Sequence, residues 1–427
     1  MWLRLAALAA CAFVPAIYAQ ERAPSQTLTL QQAIERVAET HPDLRLVDGS
    51  RAVLQANYDS ASLKPPLTLG ATVENALGTG AYRAFDQTEV TVTLAGVLER
   101  GGKLDARRAV AQANIDKLAP QREVVRLDLL AETARRYLAV TAAIRQRDIA
   151  DLDIEQRRRT VDAAKRRLAA GASPESVVLT AQAALAEAEL DRDRAGQAEA
   201  AARQALSSLW NSRVPAHGAV TGDPMELPKL EDFASLSGML ERTPELAQLA
   251  GDARIREAQV RLARSDATPD IQWQVGGRAF RSGNDVGVLA GFSIPLGSTR
   301  RAQAGIRAAE AELALTNVER ESLLVGMNAA LATAYGDYST AQLEVGRIRS
   351  DVLPRLAKAE AAADRAWRAG AISYMEWALL QDQRVQARRR QLDAALSAQS
   401  SLIEVQRLLG QPIVQAQDAT NTEISSQ

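Results

Sequence analysis

Between Gly101 and Trp210 the apolar positions keep helical spacing for far longer than a globular helix needs. Leu127, Leu130, Ala134, Tyr137 and Ile144 mark one stripe; Leu138, Ala142, Ile149 and Leu152 mark a second beside it. Steps of three, four and seven on two adjacent stripes call for neighbours on both sides, as in a bundle or ring of helices. From Gly102 to Leu168 only Pro120 interrupts. At about 1.5 Å per residue that pattern predicts a rod of about 100 Å. A turn at Ala170-Gly171-Ala172-Ser173-Pro174 then sends a second helical pattern back.

The unit occurs twice, the copies lying about two hundred residues apart. Leu28 to Ile34 opens an amphipathic helix, and Thr40-His41-Pro42-Asp43-Leu44 leads into another. Asp232-Phe233 and Thr243-Pro244-Glu245-Leu246 do the same later. Tyr137 answers Tyr335, and Ala170-Gly171-Ala172 answers Ala369-Gly370-Ala371. Sustained self-similarity of this kind is an internal duplication. The expected organisation is a signal peptide at 1–19, a first repeat at 20–213, a linker at 214–232 and a second repeat at 233–410. The linker is rich in proline and glycine, and residues 411–427 read as a disordered tail.

Ahead of each rod the period changes to two. Leu69, Ala71 and Val73 alternate with Gly70 and Thr72, and Val90, Val92 and Leu94 alternate with Thr91 and Thr93. In the second copy Trp273, Val275, Gly277 and Ala279 form one such set, and Val286, Val288, Ala290 and Phe292 another. These four strands form hairpins at 66–96 and 269–296, followed by helical hairpins at 101–211 and 299–410. Each strand has one apolar and one polar face, as a membrane barrel requires. Four strands cannot close a barrel, and an open edge cannot sit in lipid. Three copies would supply twelve strands around a wet lumen. The reading from another class is a soluble periplasmic coiled-coil scaffold whose strands form a small sheet.

Composition narrows the choice. Aromatic residues make up 4% of the chain, which suits thin, close-packed helices. Charge is high at 24% but balances to −1, so no basic footprint for nucleic acid is present. Arg4, the apolar run Leu5 to Val14 and the break ending at Ala19 read as a secretory signal. The single cysteine, Cys11, sits in Leu8-Ala9-Ala10-Cys11, which resembles a lipoprotein box and makes Cys11 a candidate for lipidation. Cleavage after Ala19 would leave no thiolate ligand and no disulfide. His41 and His217 are isolated beside proline-bearing boundaries and read as loop or cap residues. No nucleophile, phosphate loop or metal cluster is visible, so neither an enzyme nor a cofactor is expected.

The mature chain resembles the TolC family of bacterial outer-membrane efflux ducts. The match rests on Leu30-Gln31-Gln32-Ala33-Ile34 through Pro42-Asp43-Leu44, on the duplicated unit, and on Arg368-Ala369-Gly370-Ala371-Ile372-Ser373-Tyr374-Met375-Glu376. The first tip, Arg167 to Pro174, is a looser match. The resemblance implies a mainly α fold with a membrane β-barrel part. In it a homotrimer builds a twelve-stranded barrel in outer-membrane lipid, continuous with a periplasmic α-helical barrel. Leu98 to Leu104, with Gly101-Gly102-Lys103, is similar to a segment of the heavy-metal branch, although Leu104 replaces a frequent arginine. A drug or type I secretion duct is the competing cargo class. The partners implied are a periplasmic adaptor (membrane fusion) protein and an inner-membrane pump of the resistance-nodulation-division type.

The working parts would be the tips. Gly171 and Gly370 suit the left-handed positions where a helix stops and reverses, and Ser173 and Ser373 suit N-caps of the return helices. By resemblance Arg368, Ala369, Ile372, Ser373 and Tyr374 would face the adaptor, together with the first tip at Gly171 and Ser173. The same resemblance puts Glu376 near an acidic constriction, where three carboxylates would surround one axis as a periplasmic gate. The simpler alternative pairs Glu376 with Arg368 or Arg384. A second acidic ring is not expected, because Leu379 stands where another acid is frequent.

Overall fold

The computed structural model describes residues 27–215 and 218–413. The expected signal peptide with Cys11, His217 and most of the C-terminal tail lie outside these residues. Two short helices open the first repeat, α1 (Leu30–Thr40) and α2 (Pro42–Ala61). Thr29 and Gln32 cap α1 reciprocally, and α2 starts with Pro42 at its first position while His41 Nδ1 accepts the Asp43 N–H at 3.2 Å. Strands β1 (Thr68–Glu74) and β2 (Glu89–Leu98) follow, then α3 (Lys103–Asp116), α4 (Leu118–Ala169) and α5 (Glu175–Ser208). The second repeat runs α6 (Phe233–Met239), α7 (Pro244–Ser265), β3 (Ile271–Phe280), β4 (Asp285–Ser293), α8 (Ser298–Arg347), α9 (Leu353–Arg368) and α10 (Tyr374–Leu408).

The rods differ in continuity. The first, expected to run on from Gly102, pauses at Lys117 between α3 and α4; Pro120 then falls in the first turn of α4, where its missing N–H costs nothing, and α4 as a whole is 52 residues long. In the second repeat Pro354 falls where the helix would otherwise continue. There the chain makes a π turn at Ile348–Val352, which absorbs the missing donor between α8 and α9.

Composition marks 214–232 as a linker, yet the segment is pinned. Leu28 N–H donates to Ala219 O at 2.8 Å, and Leu28 pairs with Val220 as a parallel bridge. The buried Tyr137 hydroxyl lies 2.8 Å from Leu28 O and 2.7 Å from Thr221 O. On the second repeat Tyr338 hydrogen-bonds Pro228 O, and burial pushes its hydroxyl pKa up to about 12. The partner of Tyr137 in the duplication is therefore Tyr338. Tyr335 instead packs its ring on Phe233 at 5.8 Å. The start of the expected tail is likewise ordered, since Ile413 is buried in the core that holds Leu30 and Tyr137.

All four strands join one antiparallel sheet in the order β1-β2-β3-β4, so the hairpins of the two repeats meet at β2 and β3. Leu69, Leu94, Val275 and Ala290 lie in one register row, and Val73, Val90, Ala279 and Val286 in another. The alternation read from the sequence thus becomes one continuous apolar face. It is uncovered: Val288 is 92% exposed, Phe292 78% and Leu69 75%. Among the described residues no helix is long and apolar enough to cross a membrane.

Candidate functional site

Both rods end in the same backbone device. Gly171 and Gly370 take left-handed φ values of 68° and 78°. At the first tip Ala172 N–H reaches back to Arg167 O at 2.9 Å, and at the second Ala371 N–H reaches Ala366 O at 2.9 Å. These bonds satisfy carbonyls that a helix end leaves open, and glycine bears the positive φ without a side-chain penalty.

The return helices start differently. Ser373 caps α10: its Oγ accepts the Glu376 N–H at 3.3 Å, and the Glu376 carboxylate accepts the Ser373 N–H at 2.7 Å. Ser173 does not cap α5, contrary to the expectation from spacing. There the cap position is Pro174, which makes no side-chain cap bond. Pro174 fixes an extended-to-helix corner one residue later than the serine.

Glu376 is exposed and occupied by its own helix. Hydrogen bonds from the Ser373 backbone and side chain hold its carboxyl below the usual glutamate value. Pairing with Arg368 or Arg384 is not observed. Arg368 meets Asp364 at 2.9 Å and Arg384 meets Glu360 at 2.6 Å.

Two tryptophans that the sequence pattern did not single out, together with Tyr374, build the core of the second tip. Trp367 stacks on Trp377 with centroids 4.4 Å apart, and Tyr374 stands edge-on to both at 6.4 Å. Trp367 is 3% exposed. Arg167 of the first tip covers the Trp367 ring at 5.1 Å and hydrogen-bonds Trp367 O, while its other terminal nitrogen donates to Ala172 O at 3.2 Å. One guanidinium thus fastens the two tips together. Ile372 packs against this cluster, and Met375 and Leu379 stay exposed. The available signal was local enrichment: aromatics are scarce in the chain yet flank Gly370 on both sides.

At the opposite end of the rods Gly101 and Gly102 both adopt positive φ, 73° and 74°, where β2 hands over to α3. A side chain at Gly101 would meet Thr268 at 2.6 Å. The double turn aims Lys103 at Asp270, 2.8 Å away, and Asp270 also accepts the Arg100 N–H at 3.1 Å. Arg107 pairs with Glu99 just beyond, and hydrogen bonding to that carboxylate raises its pKa. Gly101-Gly102-Lys103 therefore forms the joint between sheet and rods. Among the described residues no group of His, Cys, Asp and Glu is arranged to hold a metal.

Comparison with known proteins fits this architecture. The family described as "Outer membrane efflux protein" matches residues 33–212 and 236–411, one stretch in each repeat. The chain belongs to the outer membrane efflux protein family. Its similarity to the cobalt-zinc-cadmium resistance protein CzcC of Cupriavidus metallidurans is 26% identity, covering 73% of this chain and 75% of that protein. It is 31% identical to the pyoverdine export outer membrane protein OpmQ of Pseudomonas putida, over 41% of this chain and 38% of that protein. A solved structure of CusC superposes with a TM-score of 0.75 at 18% identity, covering 90% of this chain and 92% of that one. This outer membrane efflux protein therefore shares the fold that joins a barrel sheet to long helical rods. Its location is the outer membrane, with the rods on the periplasmic side.

Proposed function

We propose that three copies of this chain form a passive exit duct through the outer membrane and periplasm, serving a tripartite efflux system. One observation carries the reading: a four-stranded sheet with an uncovered apolar face and free edges at β1 and β4. Unpaired strand edges are not tolerated in lipid, and closure with neighbouring copies removes them. The helical layer is open in the same sense, with Leu46 and Val53 exposed on α2 and Leu315, Val318 and Val325 exposed on α8. A soluble scaffold would leave that apolar sheet face in water.

In this reading the tip residues Gly171, Ser173, Arg368, Gly370, Ile372 and Ser373 meet a periplasmic adaptor, and Tyr374, expected to face it too, is 7% exposed and supports that surface from beneath. Energy comes from an inner-membrane pump of the resistance-nodulation-division type, so the duct needs no nucleophile and no cofactor. Similarity to CzcC and the Gly101-Gly102-Lys103 joint favour heavy-metal cations as cargo. Similarity to OpmQ supports the second reading, an exit duct for larger organic cargo. Three copies of Glu376 ring the axis as the periplasmic gate.

Planar-bilayer recording of the purified protein tests both parts. Wild type gives discrete, cation-preferring channels. Glu376→Gln is the informative variant, because glutamine still caps α10 while the charge is gone. Raised conductance or weakened cation preference supports the gate; unchanged behaviour removes the gate and keeps the duct. Protein that dissolves without detergent and never conducts overturns the duct.

A further inference from the structure

The sheet register separates the charged side chains of the barrel strands by face and by height. On the apolar face, which carries Leu69, Val92, Val275 and Val288, no strand residue is charged. On the other face charge is confined to two adjoining rows at the end away from the rods. One row holds Glu74, Glu89, Phe280 and Asp285; the next holds Thr72, Thr91, Arg278 and Gly287. The remaining positions of that face, from Thr68 and Gln272 upward, are neutral.

Glu74 and Glu89 stand directly opposite each other on neighbouring strands, a like-charge pair that destabilises a sheet unless something bridges it. Arg278 is the bridge. Its guanidinium lies 3.1 Å from Glu89 and 3.3 Å from Glu74, and its Nε donates to Thr91 Oγ1 at 2.9 Å. Asn75 donates to the other Glu89 oxygen at 3.1 Å. The side chain of Arg278 thus crosses from β3 over β2 to β1. Opposite it on β4 is Gly287, which adds no side chain to the row. Thr91, beneath the guanidinium, is 5% exposed, while its neighbours Val90 and Val92 on the apolar face are 40% and 46% exposed.

We infer that Arg278, with Glu74, Glu89 and Asp285, forms the charge-selecting ring of the barrel lumen. The inference rests on the trimeric-duct reading, in which the polar face lines the pore. Each copy contributes three carboxylates against one guanidinium, so the assembled ring is negative and favours cations. Arg278 sets the degree: it neutralises part of the charge and holds the two opposed glutamates in place. The other strand positions of the lumen face are neutral, so within the barrel this ring is where passing ions meet fixed charge, apart from the Glu376 gate proposed at the far end of the rods.

The test is reversal potential in planar bilayers under a potassium chloride gradient, using the full-length protein. Arg278→Gln raises the cation-to-anion permeability ratio roughly twofold or more, because each copy loses the one guanidinium it contributes to the ring. Glu74→Gln with Glu89→Gln lowers the ratio. A purely structural bridge gives a different result, in which both variants lose thermal stability and conduct with the wild-type reversal potential; that outcome overturns the inference. Should Arg278→Gln fail to assemble, Glu74→Gln alone on the edge strand still decides by the direction of its shift, and no shift overturns the ring. Wild-type protein that never conducts and also dissolves without detergent overturns the duct itself, a failure distinguishable from that of the ring.

Discussion

The two hairpin tips share a backbone and differ in what fills them. Gly171 and Gly370 turn their helices with nearly equal φ angles and equivalent backward hydrogen bonds. Around Gly370 the chain adds two tryptophans, a tyrosine and a reciprocal cap. Around Gly171 it adds Leu168, 37% exposed, and a proline at the cap position. Duplication therefore preserved the element that reverses the chain, while the side chains that stabilise each reversal diverged. The first tip borrows its order from the second through Arg167, whose guanidinium bonds the backbone of both.

The largest way to break this comparison is Trp367→Ala. Removing a buried, stacked indole costs about 3–5 kcal/mol, whereas Leu168→Ala in the first tip stays within about 0.5 kcal/mol. Limited proteolysis of the two tips reads the difference, with rapid cleavage near Arg368 in the first variant and wild-type cleavage in the second. Equal sensitivity would mean that the aromatic cluster is not what distinguishes the tips.

What was legible in the sequence followed from periodicity and from glycine. Alternation along Leu69 to Val73 and Val286 to Phe292 gives the apolar sheet face, because a period of two leaves a side chain no choice of side. Both tip glycines are found where a long helix must reverse. Features that depend on contact across the fold were not legible. Trp367 and Trp377 meet only after Gly370 folds α10 back on α9, and Arg167 finds Trp367 from the other repeat. Matching by residue type alone pairs Tyr137 with Tyr335, whereas the shared job of holding the linker belongs to Tyr338. Spacing also suggests Ser173 as a cap, but Pro174 moves the helix start past it. The charge rows of the barrel needed the register of β1 with β2 and of β2 with β3, which no single strand contains.

A smaller effect sharpens the comparison at the caps. Ser373→Ala removes a side-chain acceptor from the first turn of α10 and costs about 1 kcal/mol, whereas Ser173→Ala removes no cap and is nearly neutral. Amide hydrogen exchange follows each helix start separately: protection falls near Glu376 in the first variant and stays unchanged near Glu175 in the second. Comparable losses at both would show that Ser173 caps α5 after all.

The smallest expected effect concerns the same cap and its dependence on pH. Two hydrogen bonds from Ser373 hold the Glu376 pKa below its ordinary value of 4.5. The folded protein therefore releases that proton more readily than the unfolded chain does. Its contribution is complete above 4.5 and fades as pH falls through the lowered folded value. Exchange at the start of α10 should accelerate over that acidic window relative to the start of α5, which has no carboxylate cap. In Glu376→Gln the cap is present without a titrating group, so the excess acceleration disappears. If the variant keeps it, another acid near the second tip governs the opening, and the capping pair is not what separates the two tips in acid.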